Sequence, residues 1–154
     1  MTDIALHREA IPAIDDGDLA RLLEFEDCVL QAPQVPVRTD HVLHAGQYVR
    51  TLFMSKGTVI TGALVKIPTV LIVQGDAMVS VGEEGRRLTG YAVLAAAAHR
   101  KQAFVALEDT HVTMSFPTRA KTIEEAEREF TDDADRLSSR LRESVNTFTI
   151  TSDR

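Results

Sequence analysis

Hydrophobic positions along this chain follow two different periods. Residues 1–14 (MTDIALHREAIPAI) follow neither and read as an irregular arm with a few apolar anchors. Leu19, Leu22, Leu23, Glu26 and Leu30 then fall at helical spacing, which predicts a helix near 18–29. Asp15–Asp16–Gly17–Asp18 supplies its start, because short acids accept from the free backbone N–H groups and favour the positive end of the dipole. Pro33 and Pro36 stop the helix and impose an extended connector.

From about residue 37 the period shortens. Runs rich in Val, Ile, Thr and aromatic residues alternate with glycine: VRTDHVLHAG, QYVRTLFMSKG, TVITGALVKI, PTVLIVQG, DAMVSVGEEG, RRLTG, YAVLAAA, KQAFVALED and HVTMSFPT. Short runs with turn signals between them predict a compact antiparallel barrel or sandwich, not βαβ units. Gly82–Glu83–Glu84–Gly85 predicts a hairpin loop between strands near 76–81 and 86–88, and Glu108–Asp109–Thr110 a second turn. The β pattern ends at Pro117. Thr122 with Glu125 fits a capping box that opens a Glu-rich helix, restarted or kinked at Thr131–Asp132–Asp133. Leu137, Leu141 and Val145 give it a thin stripe, so a charged, surface-lying helix ending near Ser144 is expected. The tail TFTITSDR is expected to fray or to add an edge strand to a neighbour. The chain thus divides into an arm and helix (1–36), a β-barrel (37–118) and an acidic helix with tail (119–154).

Composition narrows the class. A chain of 154 residues, 44% hydrophobic and 26% charged, has room for one globular domain. The single cysteine, Cys28, excludes an internal disulfide and a Cys-rich zinc module, and its place in the first helix predicts a packing role. No apolar run reaches the roughly 18–20 residues of a membrane span, and no signal sequence opens the chain, so a cytoplasmic protein without membrane partners is expected. Met54, Met78 and Met114 fall in strands and read as core fillers.

The charge of −6 is unevenly spread. Residues 1–37 carry −6, residues 38–121 carry +4 and residues 122–154 carry −4. The total argues against a general nucleic-acid binder, whereas the basic centre suits an anionic ligand or pairs with the acidic ends. With eight aromatics and no tryptophan, stacking platforms for single-stranded nucleic acid are scarce.

The spacing of strands and glycines over about residues 45–117 resembles the two motifs of the cupin superfamily, a small antiparallel β-barrel. Gly57 and Gly75 stand at the ends of GTVITGALVKIPTVLIVQG, and Gly90 opens GYAVLAAAAHRKQAFVALEDTHVTMSF. The resemblance implies a mainly β jelly roll, with the N-terminal helix before it and a helical extension after it. Metal-binding cupins hold their ion with two His and one Glu of the first motif and one His of the second. Those positions fall here on Thr61 and Ala63 or Gly62 and Leu64, on Pro68, and on Lys101. None is a ligand and a lysine repels a cation, so no metal and no other cofactor is expected. The phrases GTVITGALVKIPTVLIVQGD, RLTGY, RKQAFVA and FPTRAKTIEEAEREFTD also resemble small cupin-like proteins encoded in bacteriophages and prophages.

The ligand positions of a cupin point into the barrel, which places Lys101 at its mouth. Lys66, His99 and Arg100 lie near it in the motifs, and Tyr48 and Arg50 on a preceding strand. Such a cluster binds phosphate, carboxylate or a nucleotide by charge-assisted hydrogen bonds. The leading expectation is therefore a non-catalytic, phage-type barrel that binds an anionic small molecule and so sequesters a host signal. The alternatives are a virion or assembly protein acting through its oligomeric surface, and a metal-free isomerase or epimerase. The last needs a His–Asp pair plus Lys, from His44, His99 or His111 with Asp40, Asp76 or Asp109. Ser55, Ser80 and Ser115 lack a nucleophile-elbow context. The aliphatic runs VLIV and AVLAAAA suit a barrel core or a subunit interface, so a homo-oligomer is expected.

Overall fold

The structure, a computed structural model, describes residues 10–141 and 143–151. The arm expected over residues 1–14 lies outside them up to residue 9, as do the last three residues of the tail. At Ala10–Ile11 the arm forms a short strand, β1, and buries Ile11. Helix α1 (Asp16–Gln31) starts where the acids predict, with the Asp15 carboxylate accepting from the Asp18 N–H at 2.7 Å. It ends at Ala32, ahead of Pro33.

Eight more strands follow: β2 (Arg38–His44), β3 (Gln47–Met54), β4 (Val59–Thr61), β5 (Thr69–Val81), β6 (Glu84–Ala96), β7 (Ala103–Ala106), β8 (Thr110–Pro117) and β9 (Val145–Ile150). Runs that glycine separates in the sequence are fused here. Gly75 and Gly90 lie inside the 13-residue strands β5 and β6 and face each other in register. Before Gly75, β5 pairs with β8, and after it with β7. The β5–β6 hairpin is therefore shared between a large sheet, β1-β6-β5-β8-β3-β2-β9, and a small one through β7 and β4. Glycine acts as the bend of a long strand, not as its end. Gly75 has φ +141°, and an added Cβ would meet Thr110 Oγ1 at 2.5 Å and the Asp109 carbonyl at 2.6 Å.

The sheets enclose one core, in which Tyr48 packs edge-on to Phe116 at 5.5 Å and Phe130 to Phe116 at 6.0 Å. Met54 and Met114 are buried in it, while Met78 is half-buried.

Three further expectations fail. The C-terminal helix is not one surface-lying element to Ser144. Helix α2 spans Ile123–Phe130, stops at extended Thr131, and two 3-10 turns follow at Ala134–Arg136 and Ser138–Arg140. It is short because Ile123, Ala126, Glu127 and Phe130 are buried, and Phe130 reaches the core only if the chain then turns. The tail is not left for a neighbour: β9 pairs in parallel with β2 of its own chain. Cys28 is exposed, because the stripe of α1 is only partly covered; Leu22 is buried, whereas Leu23 and Leu30 are exposed. Among the described residues no helix is long and apolar enough to cross a membrane.

Candidate functional site

Between the sheets lies a cavity of about 560 Å³. Its wall is mainly apolar, with Leu52, Leu71, Phe104, Val112, Met114 and Phe130 from the barrel and α2. Helix α1 and the connector close one side with Glu26, Val29, Leu30 and Pro33. The 3-10 turns bring Asp133, Arg136 and Leu137 to the rim.

Lys101 lies on this wall and is 5% exposed at its side chain. Its Nζ donates to Glu26 Oε2 at 2.8 Å and to the Gly62 carbonyl at 2.6 Å. Thr61 Oγ1 donates to the same carboxylate oxygen at 2.8 Å, and Arg136 stands 3.8 Å from the other. The local fold sets this seat. β4 pairs with β7 through Thr61 and Ala103, and the Gly62 N–H donates to Gln102 O, so residues 61–62 lie beside Lys101. A buried ammonium needs an anion, and α1 supplies it from within the chain. Glu26 is the residue that sequence reasoning missed as a partner. Its signal is visible in hindsight: an acid stands in the helical stripe among leucines.

Tyr48 and Arg50, on β3, also point inward, and each is spoken for. Arg50 donates to Glu127 Oε2 at 3.2 Å and to Ser139 Oγ at 2.9 Å, and its guanidinium lies 5.8 Å from the Phe130 ring centre. Glu127, itself buried on α2, also accepts from Arg140 at 2.7 Å. The Tyr48 hydroxyl sits between His41 Nδ1 at 2.7 Å and Arg50 at 3.5 Å. Burial raises the Tyr48 phenol and lowers the His41 imidazole. His41 Nε2 faces Asn146 Oδ1 at 2.8 Å, so Nε2 carries the proton and Nδ1 accepts from Tyr48. Asn146 Nδ2 donates on to the Ser139 carbonyl. This chain of bonds latches α2, the second 3-10 turn and β9 onto β2 and β3.

The remaining candidates separate. Arg100 is 1% exposed and lines the cavity, but its guanidinium donates to the carbonyls of Ile67 and Ala97 and to Thr69 Oγ1. Its Nε is buried with no hydrogen-bond partner, and desolvation lowers its pKa to about 10, so it stays charged at neutral pH. It staples the 65–69 loop to the end of β6. Lys66 is turned outward onto Asp132 at 2.6 Å. His99 is exposed and has a left-handed backbone, φ +56°. The structure therefore brings Lys101, Arg100 and Arg50 to one cavity and leaves Lys66 and His99 outside it.

Among the described residues none of the named histidines bonds to an aspartate: His44 bonds Thr151 at 2.6 Å, Asp76 binds Arg87, and Asp109 accepts from the Lys56 N–H. The residues at the cupin metal positions do not fit a cation either. Lys101 fills one of them, and the carboxylate beside it already bridges Lys101 and Thr61. No group of three His, Cys, Asp or Glu stands together among the described residues.

No protein-family model and no curated protein matches the sequence. Solved structures of cupin proteins do resemble it in fold. KdgF from Halomonas sp. is 24% identical, with 58% of this chain and 87% of that chain covered at a TM-score of 0.47. Ectoine synthase from P. lautus is 19% identical over 64% and 76% of the two chains, with a TM-score of 0.47. A cupin superfamily protein from Desulfitobacterium hafniense is 16% identical over 56% and 82%, again at 0.47. At such identities a likeness speaks of fold and not of activity. The chain's own strand pairing, with one long hairpin shared by both sheets, makes it a mainly β, cupin-like jelly roll flanked by helices.

Proposed function

We propose that the protein is a small-molecule-binding barrel whose cavity takes a compact molecule with an apolar body and one anionic end. The observation that carries this reading is Lys101: a buried ammonium on the wall of a largely apolar cavity, facing a carboxylate. A volume of about 560 Å³ lies within the range of ligand sites, ~300–1,000 Å³. The pairing with Glu26 supports an anionic end, since Lys101 and Thr61 both donate to one carboxylate oxygen. A bound ligand's carboxylate or phosphate takes the place of Glu26, and its body lies against Leu52, Leu71 and Phe104. The sequestering of a host signal by a phage-type protein is the biological form of this reading, and it rests on the sequence resemblance alone.

Isothermal titration with medium-chain carboxylates, the matching alcohols and nucleoside monophosphates tests it. Heats are expected from the anions, absent with the alcohols, and lost in Lys101→Met. Flat heats throughout the panel, or binding that Lys101→Met leaves unchanged, refute it.

A further inference from the structure

The cavity wall holds one polar group that the Lys101 seat leaves unused. Among the described residues, five polar residues of the wall are buried: Arg50, Thr58, Arg100, Lys101 and Gln102. The first four bond through their side chains, to Glu127, Ser55, Thr69 and Glu26 among others. Gln102 is 7% exposed, yet its amide bonds to none of the described residues. Nor is that amide sealed off. Among the described residues the unbonded side-chain atoms beyond the reach of water are Thr39 Oγ1 and Arg100 Nε. The open space beside Gln102 is the cavity, so its amide points there. A buried amide without a partner lowers stability, and such groups are rare enough in native proteins to need a reason.

We infer that Gln102 reads a hydroxyl or carbonyl oxygen beside the ligand's carboxylate, which makes the ligand an apolar hydroxy or oxo acid. This rests on the anion seat proposed above and adds a second polar point to the molecule that fills it. Placement supports it. Lys101 Nζ donates to the Gly62 carbonyl at 2.6 Å, and the Gly62 N–H donates to the Gln102 carbonyl at 2.9 Å, so one glycine ties both residues together. Residues 101–102 belong to no strand, and without strand alternation two neighbours in sequence reach the same cavity. Phe104, on β7, lines it next, while Ala103 between them does not. Along the chain the wall thus runs cation, amide, aromatic ring. That is the order of a carboxylate, an oxygen on its first carbons and an apolar tail. Chemistry supports it as well. A glutamine amide donates through Nε2 and accepts through Oε1, so it pairs with a hydroxyl in either sense and donates to a carbonyl. Water satisfies such an amide while a cavity stands open. A plain alkyl acid expels that water and returns no bond, whereas an oxygen at this position replaces it.

Isothermal titration of the full chain with octanoate, α-hydroxyoctanoate, β-hydroxyoctanoate and α-oxooctanoate tests the inference. At least one of the oxygenated acids is expected to bind about tenfold tighter than octanoate, the worth of a hydrogen bond to an otherwise unpaired amide. Gln102→Met keeps the length of the side chain and removes the amide. It should bind all of these acids alike, and octanoate no more weakly than the wild type does. Should Gln102→Met fail to fold, Gln102→Ala decides, since truncation there only widens an existing cavity. A wild type that binds octanoate and the oxygenated acids equally overturns the inference and leaves the anion seat standing. So does a preference that persists in the folded variant. If none of the acids binds, the seat itself fails, and the role of Gln102 with it.

Discussion

Removal of the Glu26 carboxylate is the sharpest test of how the cavity is held. Glu26→Ala leaves the Lys101 ammonium, 5% exposed, with the Gly62 carbonyl as its remaining partner and frees the Thr61 hydroxyl. Removing one partner of a buried pair costs about 3–5 kcal/mol. Water reaches Lys101 through the cavity once the carboxylate is gone, so the expected loss is about 2–4 kcal/mol. For a chain of this length each kcal/mol moves the melting temperature by about 2–4 °C, which gives a fall of about 5–15 °C. Differential scanning calorimetry and urea unfolding at pH 7 measure it. Lys101→Met should cost a similar amount, and the double variant Glu26→Leu/Lys101→Met should recover most of the loss. Acetate at about a hundredfold over its dissociation constant should return about 2.7 kcal/mol to Glu26→Ala and nothing to the double variant. A loss under about 1 kcal/mol would falsify the argument, and so would equal rescue by chloride at the same ionic strength.

Three further outcomes are expected. Glu127→Ala strands the buried Arg50 guanidinium and should cost about 3–5 kcal/mol in urea unfolding, with β9 and the 3-10 turns losing hydrogen-exchange protection before the barrel does. Gly75→Ala drives a Cβ against the Asp109 carbonyl at 2.6 Å in a left-handed backbone and should lower stability by about 3 kcal/mol or more, whereas Gly62→Ala, whose nearest contact is 3.5 Å, should be nearly neutral by the same measurement. His41 is held neutral, its pKa pushed below the ordinary 6.5 by burial and, to a smaller degree, by Arg50. Its contribution is therefore complete above about pH 6.5 and is lost as pH falls through its lowered value, because the unfolded state takes up the proton first. The slope of stability against pH below about 6.5 should flatten in His41→Gln, and an unchanged slope removes His41 as its source.

Much of the fold is legible along the chain because it is written in local terms. A cap of aspartates fixes the start of α1, alternation fixes the inward face of each strand, and Pro117 marks the end of the β pattern. Glycine misleads at Gly75 and Gly90, since one residue type serves both for a turn and for a bend within a strand, and the choice belongs to the sheets on either side. Helix α2 misleads for a similar reason. Its glutamates spell a solvated helix, yet Glu127 is buried because Arg50 and Arg140 await it there. Of the candidate site, the inward direction of Arg50 and Tyr48 follows from strand parity, whereas Lys66, His99 and Lys101 lie beyond the strand ends, where parity does not apply: Arg100, Lys101 and Gln102 are buried one after another.

By itself the sequence determined a single mainly β domain, its order of elements, and a basic centre between two acidic ends. Only the tertiary structure decided what those charges do. Glu26 from the first acidic end lies 2.8 Å from Lys101, Glu127 from the second lies 3.2 Å from Arg50, and Asp132 lies 2.6 Å from Lys66. These partners stand from 66 to 77 residues apart in the chain. The low dielectric of the barrel interior favours an anion beside the buried Lys101 and Arg50, whereas buried Arg100 is held by carbonyls and a hydroxyl, and which anion arrives is set by where the chain's ends pack and not by their sequence spacing.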